Sequence, residues 1–171
     1  DLVRSRGRGD GYKRQAADSV VGDYCTLAKR EGIPFRAKLD LPQALPVDEI
    51  DTCLVLSNLL ENAFEASLHT APARRQIRIT AYVHAERLLL VEVENAFDGE
   101  VNEKSGVFRS SKRKGNGIGI QSVRHIAEKS GGASTVTYQN GVFSAKVMLC
   151  GEKQPPETAD STTELYGKCG K

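Results

Sequence analysis

Apolar residues recur with two different periods along this chain, and the period predicts the type of each element. Spacings of three and four residues, as at Ala17, Val20, Val21 and Tyr24, indicate a helix with one buried face. Apolar runs bounded by turn residues, as in the run that starts at Leu88, indicate strands. These patterns predict helices over about 15–31, 48–68 and 117–130, and strands over 33–39, 76–84, 87–95, 133–139 and 142–149.

The second predicted helix has both an apolar and a polar side. Its buried stripe is expected to consist of Ile50, Cys53, Leu54, Leu60, Ala63, Phe64 and Leu68. Further along, Asn140-Gly141 between two strand patterns is typical of a hairpin with a type I′ turn.

Residues 96–116 have no periodicity and are predicted to form a structureless loop. Four of them are basic and lie close together: Arg109, Lys112, Arg113 and Lys114. Long loops inside a compact domain are usually functional, as active-site lids are. Lys112 is therefore a candidate phosphate contact, although a basic run is also typical of a solvated surface.

The composition describes one neutral globular domain with two polar ends. The 171 residues carry 24 basic and 22 acidic side chains, and the excess comes from residues 1–14. We expect residues 1–14 to be a disordered arm or a cloning remnant, and residues 151–171 to be a disordered tail. The neutral body predicts no nucleic-acid-binding face, and no run reaches the roughly 18 apolar residues of a membrane span. Four cysteines without a Cys-x-x-Cys pair disfavour a zinc site and suit a reducing compartment.

The polar side of the second helix carries Asn58, Glu61, Asn62 and Glu65. Asn58, Asn62 and Glu65 fall within roughly 60° of one another around the helix axis. Asparagine is a poor helix former, and amide and carboxylate oxygens on one face suit a hard cation with phosphates and water. The same stripe is also compatible with a solvated helix face.

Two further features could take part in a site. Gly115-Asn116-Gly117-Ile118-Gly119 opens the third helix, where free N–H groups favour an anion, although such a run also occurs as a simple loop before a helix. It matches neither the dinucleotide-binding fingerprint nor the P-loop. Glu94-Asn95 ends a buried strand, where a polar side chain either contacts a ligand or starts a turn.

Taken in order, these features resemble the ATP-binding domain of the gyrase, Hsp90, histidine kinase and MutL (GHKL) superfamily over residues 47–149. Asn58-Leu-Leu-Glu-Asn62 is similar to its asparagine box, and Gly115–Gly119 to its second glycine box. The resemblance implies the Bergerat fold, an α+β two-layer sandwich with a mixed, mainly antiparallel sheet that helices cover on one face. The domain is expected to span residues 32–150.

The resemblance also implies roles for individual residues in binding ATP and Mg²⁺. Asn62 would hold Mg²⁺, and Asn58 and Glu61 would complete the catalytic set. The nucleotide would contact Asn58, Asn62, Glu65, Asn95, Phe97, Lys112, Gly115, Gly117, Ile118 and Gly119. Hydrolases of the superfamily have a water-activating glutamate where this chain has Asn58, which favours a kinase. In place of the first glycine box the chain reads Asn95-Ala-Phe-Asp-Gly99. The amide oxygen of Asn95 would then accept a hydrogen bond from the adenine amino group.

Within the superfamily, the chain is similar to histidine kinases that sense peptide pheromones in Gram-positive bacteria (the AgrC-like group). Residues 15–31 then resemble the end of a dimerisation hairpin, and the phosphoaccepting histidine would lie upstream, because His69, His84 and His125 fall in the ATP domain. This implies the cytoplasmic end of a membrane receptor used in quorum sensing. It would form a homodimer, phosphorylate its own or its partner's hairpin and serve a response regulator. The alternatives are a non-catalytic nucleotide-binding module and an anti-sigma-type serine kinase.

Overall fold

The computed structural model describes residues 6–99, 102–104, 107–109 and 118–152. Their elements are α1 Arg6–Arg30, β1 Phe35–Asp40, α2 Glu49–Leu68, β2 Ile77–His84, β3 Leu88–Ala96, β4 Asn102–Lys104, β5 Val107–Arg109, α3 Ile118–Lys129, β6 Ala133–Gln139 and β7 Val142–Cys150. A 3-10 turn, Pro72–Arg74, joins α2 to β2. No helix in this part of the chain has the length and apolar character that a membrane span requires.

Five strands form the main sheet in the order β1-β2-β3-β7-β6. The β1–β2 pair is parallel and the other three pairs are antiparallel. In β3, Leu89, Val91 and Val93 are buried in the core while Glu92 and Glu94 between them stay half-buried. This alternation arises because the helices pack on one face of the sheet only. The mixed sheet with a single helical layer confirms the predicted fold class.

The buried face of α2 differs from the predicted stripe. Ile50, Leu54 and Leu68 are 69%, 46% and 38% exposed, so their predicted burial was wrong. The buried residues are instead Thr52, Val55, Leu56, Leu59, Leu60, Ala63 and Ser67. Apolar residues occupy most of the circumference of α2, so periodicity alone could not tell which side packs on the sheet.

Two segments without periodicity have regular structure. The helix α1 begins at Arg6, so residues 6–14 were wrongly predicted to be a disordered arm. Apolar periodicity detects only the part of a helix that packs on the domain, and the core residues of α1 begin at Ala17. Residues 96–116 were wrongly predicted to lack structure, because β4 and β5 form a short antiparallel hairpin there. Strands of three residues are too short to show a period.

Local side-chain chemistry sets the ends of several elements. Asp48 begins α2 as its N-cap, because its carboxylate accepts the Asp51 N–H at 3.0 Å. Asn140 and Gly141 both have positive φ, at 53° and 74°, as the predicted type I′ turn requires. That turn connects β6 to β7 beside the end of β3.

Candidate functional site

The helix α2, which carries Asn58 and Asn62, packs against the start of α3. A Cβ added at Gly119 would lie 3.2 Å from Asn58 Oδ1, so the first turn of α3 packs closely against the Asn58 amide. The amide nitrogen donates to Leu54 O at 2.8 Å, which leaves Oδ1 turned towards Gly119. The structure thus brings Asn58 of the polar side of α2 together with Gly119, the last residue of the glycine-rich motif.

The other polar residues of α2 share one broad face of the helix and differ in exposure. Asn62 and Glu65 are half-buried and Glu61 is exposed. Burial, followed by the charges of Glu61 and Glu65, raises the pKa of Tyr24 on α1 above its ordinary value. Glu61 and Glu65 are therefore both close to α1, and the predicted catalytic role of Glu61 stays a prediction.

Asn95 lies at the end of β3 and is 1% exposed. Its amide nitrogen donates to Ala96 O at 3.0 Å, while its Oδ1 has no hydrogen-bond partner among the described residues. An unsatisfied buried acceptor costs about 1–3 kcal/mol, so such a group needs an explanation. A ligand that donates a hydrogen bond, as the exocyclic amino group of adenine does, would satisfy it.

The neighbouring residue Glu94 takes no part in this arrangement. It alternates to the open face of the sheet, where its carboxylate accepts a hydrogen bond from Arg78 at 3.1 Å. Of the polar pair at the end of β3, only Asn95 faces the helical layer.

Phe97 follows Asn95 and packs against the β6–β7 hairpin. Its ring meets the Tyr138 ring edge to face, with centroids 5.8 Å apart, and its N–H donates to Gly141 O at 2.9 Å. The ring is half-buried. Phe97 therefore lies at the same end of the sheet as Asn95.

The remaining predicted site residues lie mostly outside the described part of the chain. Lys112, Gly115 and Gly117 are not among the described residues. Ile118 is the first residue of α3, directly before Gly119. The predicted roles of these residues stay predictions.

The donor set of α2 fits a divalent cation that arrives with phosphates. Within the described ranges, no group of three His, Cys, Asp or Glu side chains could hold a metal ion by itself. Mg²⁺ is usually bound by one or two protein oxygens together with water and substrate phosphates. The amide oxygen of Asn62, on the half-buried side of α2, could supply such a ligand.

Thr70, Arg74 and Asp98, which surround the end of β3, have few local signals in the sequence. Thr70 Oγ1 lies 2.9 Å from Ala66 O and 3.2 Å from Ala96 O, and therefore joins α2 to β3. Asp98 pairs with Arg74 and accepts the Ala71 N–H at 2.8 Å. Nothing local in the sequence indicated these partners of Asp98.

Two comparisons of sequence relate this chain to known proteins. The family model described as the GHKL domain matches residues 47–150. The sensor histidine kinase HprS of Escherichia coli K12 is 30% identical over 110 residues, which make up 60% of this chain but only 23% of HprS. This chain therefore matches less than a quarter of that relative.

Solved structures share the fold. The catalytic domain of histidine kinase ThkA superposes with a TM-score of 0.61 at 19% identity, over 81% of this chain and 91% of that domain. The mycobacterial sensor histidine kinase MprB superposes with a TM-score of 0.55 at 18% identity, over 78% of this chain and 95% of that one. Since the family model covers more than half of the chain, this chain belongs to the GHKL domain family, and the superposed structures show that it has the fold of histidine kinase catalytic domains.

Proposed function

We propose that this chain is the catalytic ATP-binding domain of a sensor histidine kinase. The observation that carries the proposal is the contact between Asn58 and Gly119, which places the amide-bearing face of α2 beside the N-terminus of α3. Free N–H groups and the dipole at a helix N-terminus favour an anion, and the amides suit its cation. The buried, unsatisfied Asn95 Oδ1 supports the choice of adenine as the base.

In this proposal each residue binds or orients one part of the nucleotide. Asn62 holds Mg²⁺ with help from Asn58, and the Asn95 side-chain oxygen accepts a hydrogen bond from the adenine amino group. The backbone of residues 115–119 binds the phosphates, and Lys112 contacts them from the loop. Bound Mg²⁺ would neutralise charge on the triphosphate, as in other phosphoryl transfers.

The proposed reaction is an in-line transfer to a histidine outside this domain. The imidazole nitrogen attacks the γ-phosphorus, the bond to the β–γ bridging oxygen breaks, ADP leaves, and the imidazole N–H proton passes to water. His69, His84 and His125 belong to the ATP domain, at the C-cap of α2, in β2 and in α3. The acceptor is therefore expected on a dimerisation hairpin, of which α1 is the final part.

The broader setting follows from the resemblance to peptide-pheromone receptors. We propose a homodimeric receptor in the membrane whose cytoplasmic end is this domain, which passes its phosphoryl group through the hairpin to a response regulator. The combination of Asn95 with the residues of α2 and α3 supports this subgroup. Autophosphorylation of the full receptor in vesicles, stimulated by an extracellular peptide, tests it; a peptide-insensitive receptor argues for another signal.

Binding of ATP is the first test. Titration calorimetry should show Mg²⁺-dependent binding to the wild type, weakened about tenfold or more in Asn62→Ala because a cation ligand is lost. Gln15→Ala removes an exposed amide on α1 and is the matched control, for which we expect no change. Absence of binding to the wild type at millimolar ATP contradicts the proposal.

The acceptor chemistry is the second test. The domain is incubated with labelled ATP and a longer protein that carries the upstream hairpin. Acid-labile, base-stable label on that protein is expected, because phosphohistidine has this stability. Acid-stable phosphoserine would indicate the anti-sigma type of kinase, and binding without transfer would indicate a nucleotide-binding module.

A further inference from the structure

The chain leaves β3 through a segment in which successive polar groups have partners. The Ala96 N–H donates to Gln76 O at 3.3 Å, and the Phe97 N–H to Gly141 O at 2.9 Å. The Tyr138 hydroxyl donates to Phe97 O at 3.4 Å. We call residues 96–98 the strand-exit segment. Its backbone is bound to β2 on one side and to the β6–β7 hairpin on the other.

The strand-exit segment also sets the orientation of the Asn95 side chain. The Asn95 amide nitrogen donates to Ala96 O, and that carbonyl also lies 3.2 Å from the Thr70 hydroxyl. A planar amide held through its nitrogen has its oxygen direction fixed as well. The direction of Asn95 Oδ1 therefore depends on where the Ala96 carbonyl is held.

Asp98 holds the far end of this segment. One carboxylate oxygen accepts the Ala71 N–H at 2.8 Å, and the other pairs with Arg74. Ala71 follows Thr70 directly, so Asp98 attaches the segment to the same connection that supplies the Thr70 hydroxyl. A Cβ at Gly141 would collide with the Arg74 guanidinium, which shows how closely the hairpin packs on this ion pair.

We propose that Asp98 is a positioning residue for recognition of the base. By fixing the strand-exit segment against Ala71 and Arg74, it keeps the Ala96 carbonyl in place and the Asn95 oxygen free to accept from a 6-amino purine. This rests on the proposed function, since it assumes that ATP occupies the site. It assigns base selectivity to a surface ion pair that need not touch the nucleotide.

The protein contains a matched control for this ion pair. Glu94 and Arg78 form a second pair on the open face of the sheet, next to Asn95 in the chain. The side chains are 29% and 56% exposed, against 26% and 54% for Asp98 and Arg74. The ion pairs themselves should therefore contribute similar, small amounts of stability, while Asp98→Ala also removes the acceptor of the Ala71 N–H. Only Asp98 is connected to the Asn95 amide.

The experiment compares affinities for ATP and ITP by titration calorimetry, with thermal unfolding measured for every variant. ITP carries an oxygen where ATP has its 6-amino group, so it cannot donate to Asn95 Oδ1. We expect the wild type to prefer ATP by about tenfold. We expect Asp98→Ala to lose about fivefold in ATP affinity, the worth of one neutral hydrogen bond, and less than about twofold in ITP affinity.

Three further variants make the result specific. Glu94→Ala should keep the wild-type ATP-to-ITP ratio. Asp98→Asn, which keeps an acceptor for the Ala71 N–H, should retain part of it even where Asp98→Ala unfolds. In the Asn95→Ala background, Asp98→Ala should add less than about a twofold loss, because the two residues act on the same interaction.

The outcomes separate this inference from the function on which it rests. Equal losses of ATP and ITP affinity in the Asp98 variants, or additive losses with Asn95→Ala, overturn the positioning role while leaving ATP binding intact. A wild type that binds ATP and ITP equally refutes the role of Asn95 and, with it, that of Asp98. A wild type that binds neither nucleotide refutes the proposed function.

Discussion

Replacing Gly119 by alanine separates stability from ligand binding in this domain. Gly119 lies in the first turn of α3, where alanine is favoured over glycine by about 0.5–1 kcal/mol in a helix interior and by less at its end. Against this gain, the new methyl group would lie 3.2 Å from Asn58 Oδ1, so the amide must move by a few tenths of an ångström. That movement strains its 2.8 Å bond to Leu54 O, which is worth about 1 kcal/mol net.

The two terms nearly cancel, so the melting temperature of Gly119→Ala should stay within about 2–4 °C of the wild type. With ATP bound as proposed, its affinity should fall about fivefold, because the displaced Asn58 amide would be less well placed for the phosphates at the N-terminus of α3. Titration calorimetry and thermal unfolding measured by circular dichroism provide both numbers.

Gly22→Ala is the matched control for this variant. Gly22 is exposed in α1 and has nothing within 4 Å of an added Cβ, so the substitution should only stabilise the helix. Its ATP affinity should equal that of the wild type. If Gly119→Ala also binds ATP with wild-type affinity, the Asn58–Gly119 contact is not part of the binding site and the reasoning is refuted.

Three other predictions test the packing and the local chemistry. Leu56→Ala should lower the free energy of unfolding, measured in urea, by about 2–5 kcal/mol, because Leu56 is 2% exposed. Leu54→Ala, on the exposed side, should cost under about 1 kcal/mol. Equal losses would contradict the observed orientation of α2. Asp48→Ala should lower the free energy of unfolding by about 0.5–2 kcal/mol through loss of the N-cap, and Asp48→Asn should lower it much less. An unchanged stability of Asp48→Ala would mean that the cap does not stabilise α2. Burial, with help from nearby acids, raises the pKa of the Cys53 thiol. Peptide mapping at pH 8 should therefore show Cys53 alkylated more slowly than the exposed Cys25. A faster rate for Cys53 would contradict its half-buried position.

The sequence predicted most elements because their signals are local. Strands β6 and β7 were placed by their apolar pattern and by Asn140-Gly141, whose positive φ values the turn chemistry demands. The start of α2 near residue 48 followed from the apolar spacing after it. Errors arose where a local signal was absent or ambiguous, as in the hairpin of β4 and β5 and in the first turns of α1.

The candidate site was predicted in part. Asn58 was indicated by its place on the polar side of α2, Gly119 by the glycine run before α3, and Asn95 by its place at the end of a strand. The residues that hold Asn95 in place were not indicated, because Thr70 and Asp98 are ordinary turn and helix-end residues in sequence. Their importance depends on partners that lie far away in the chain, such as Ala96 for Thr70 and Ala71 for Asp98.

Local sequence patterns were enough to predict the order of the helices and of the five main strands, the amide-bearing face of α2 and the glycine-rich start of α3. These properties depend on the helical and strand periods and on the conformations open to glycine and asparagine, which act within a few residues. Three-dimensional packing was needed to show which side of α2 is buried, that Asn58 lies beside Gly119, and that Asp98 holds the end of β3. The period of a helix fixes the angles between its side chains, but only the packing of the helical layer on the sheet decides what each side chain faces.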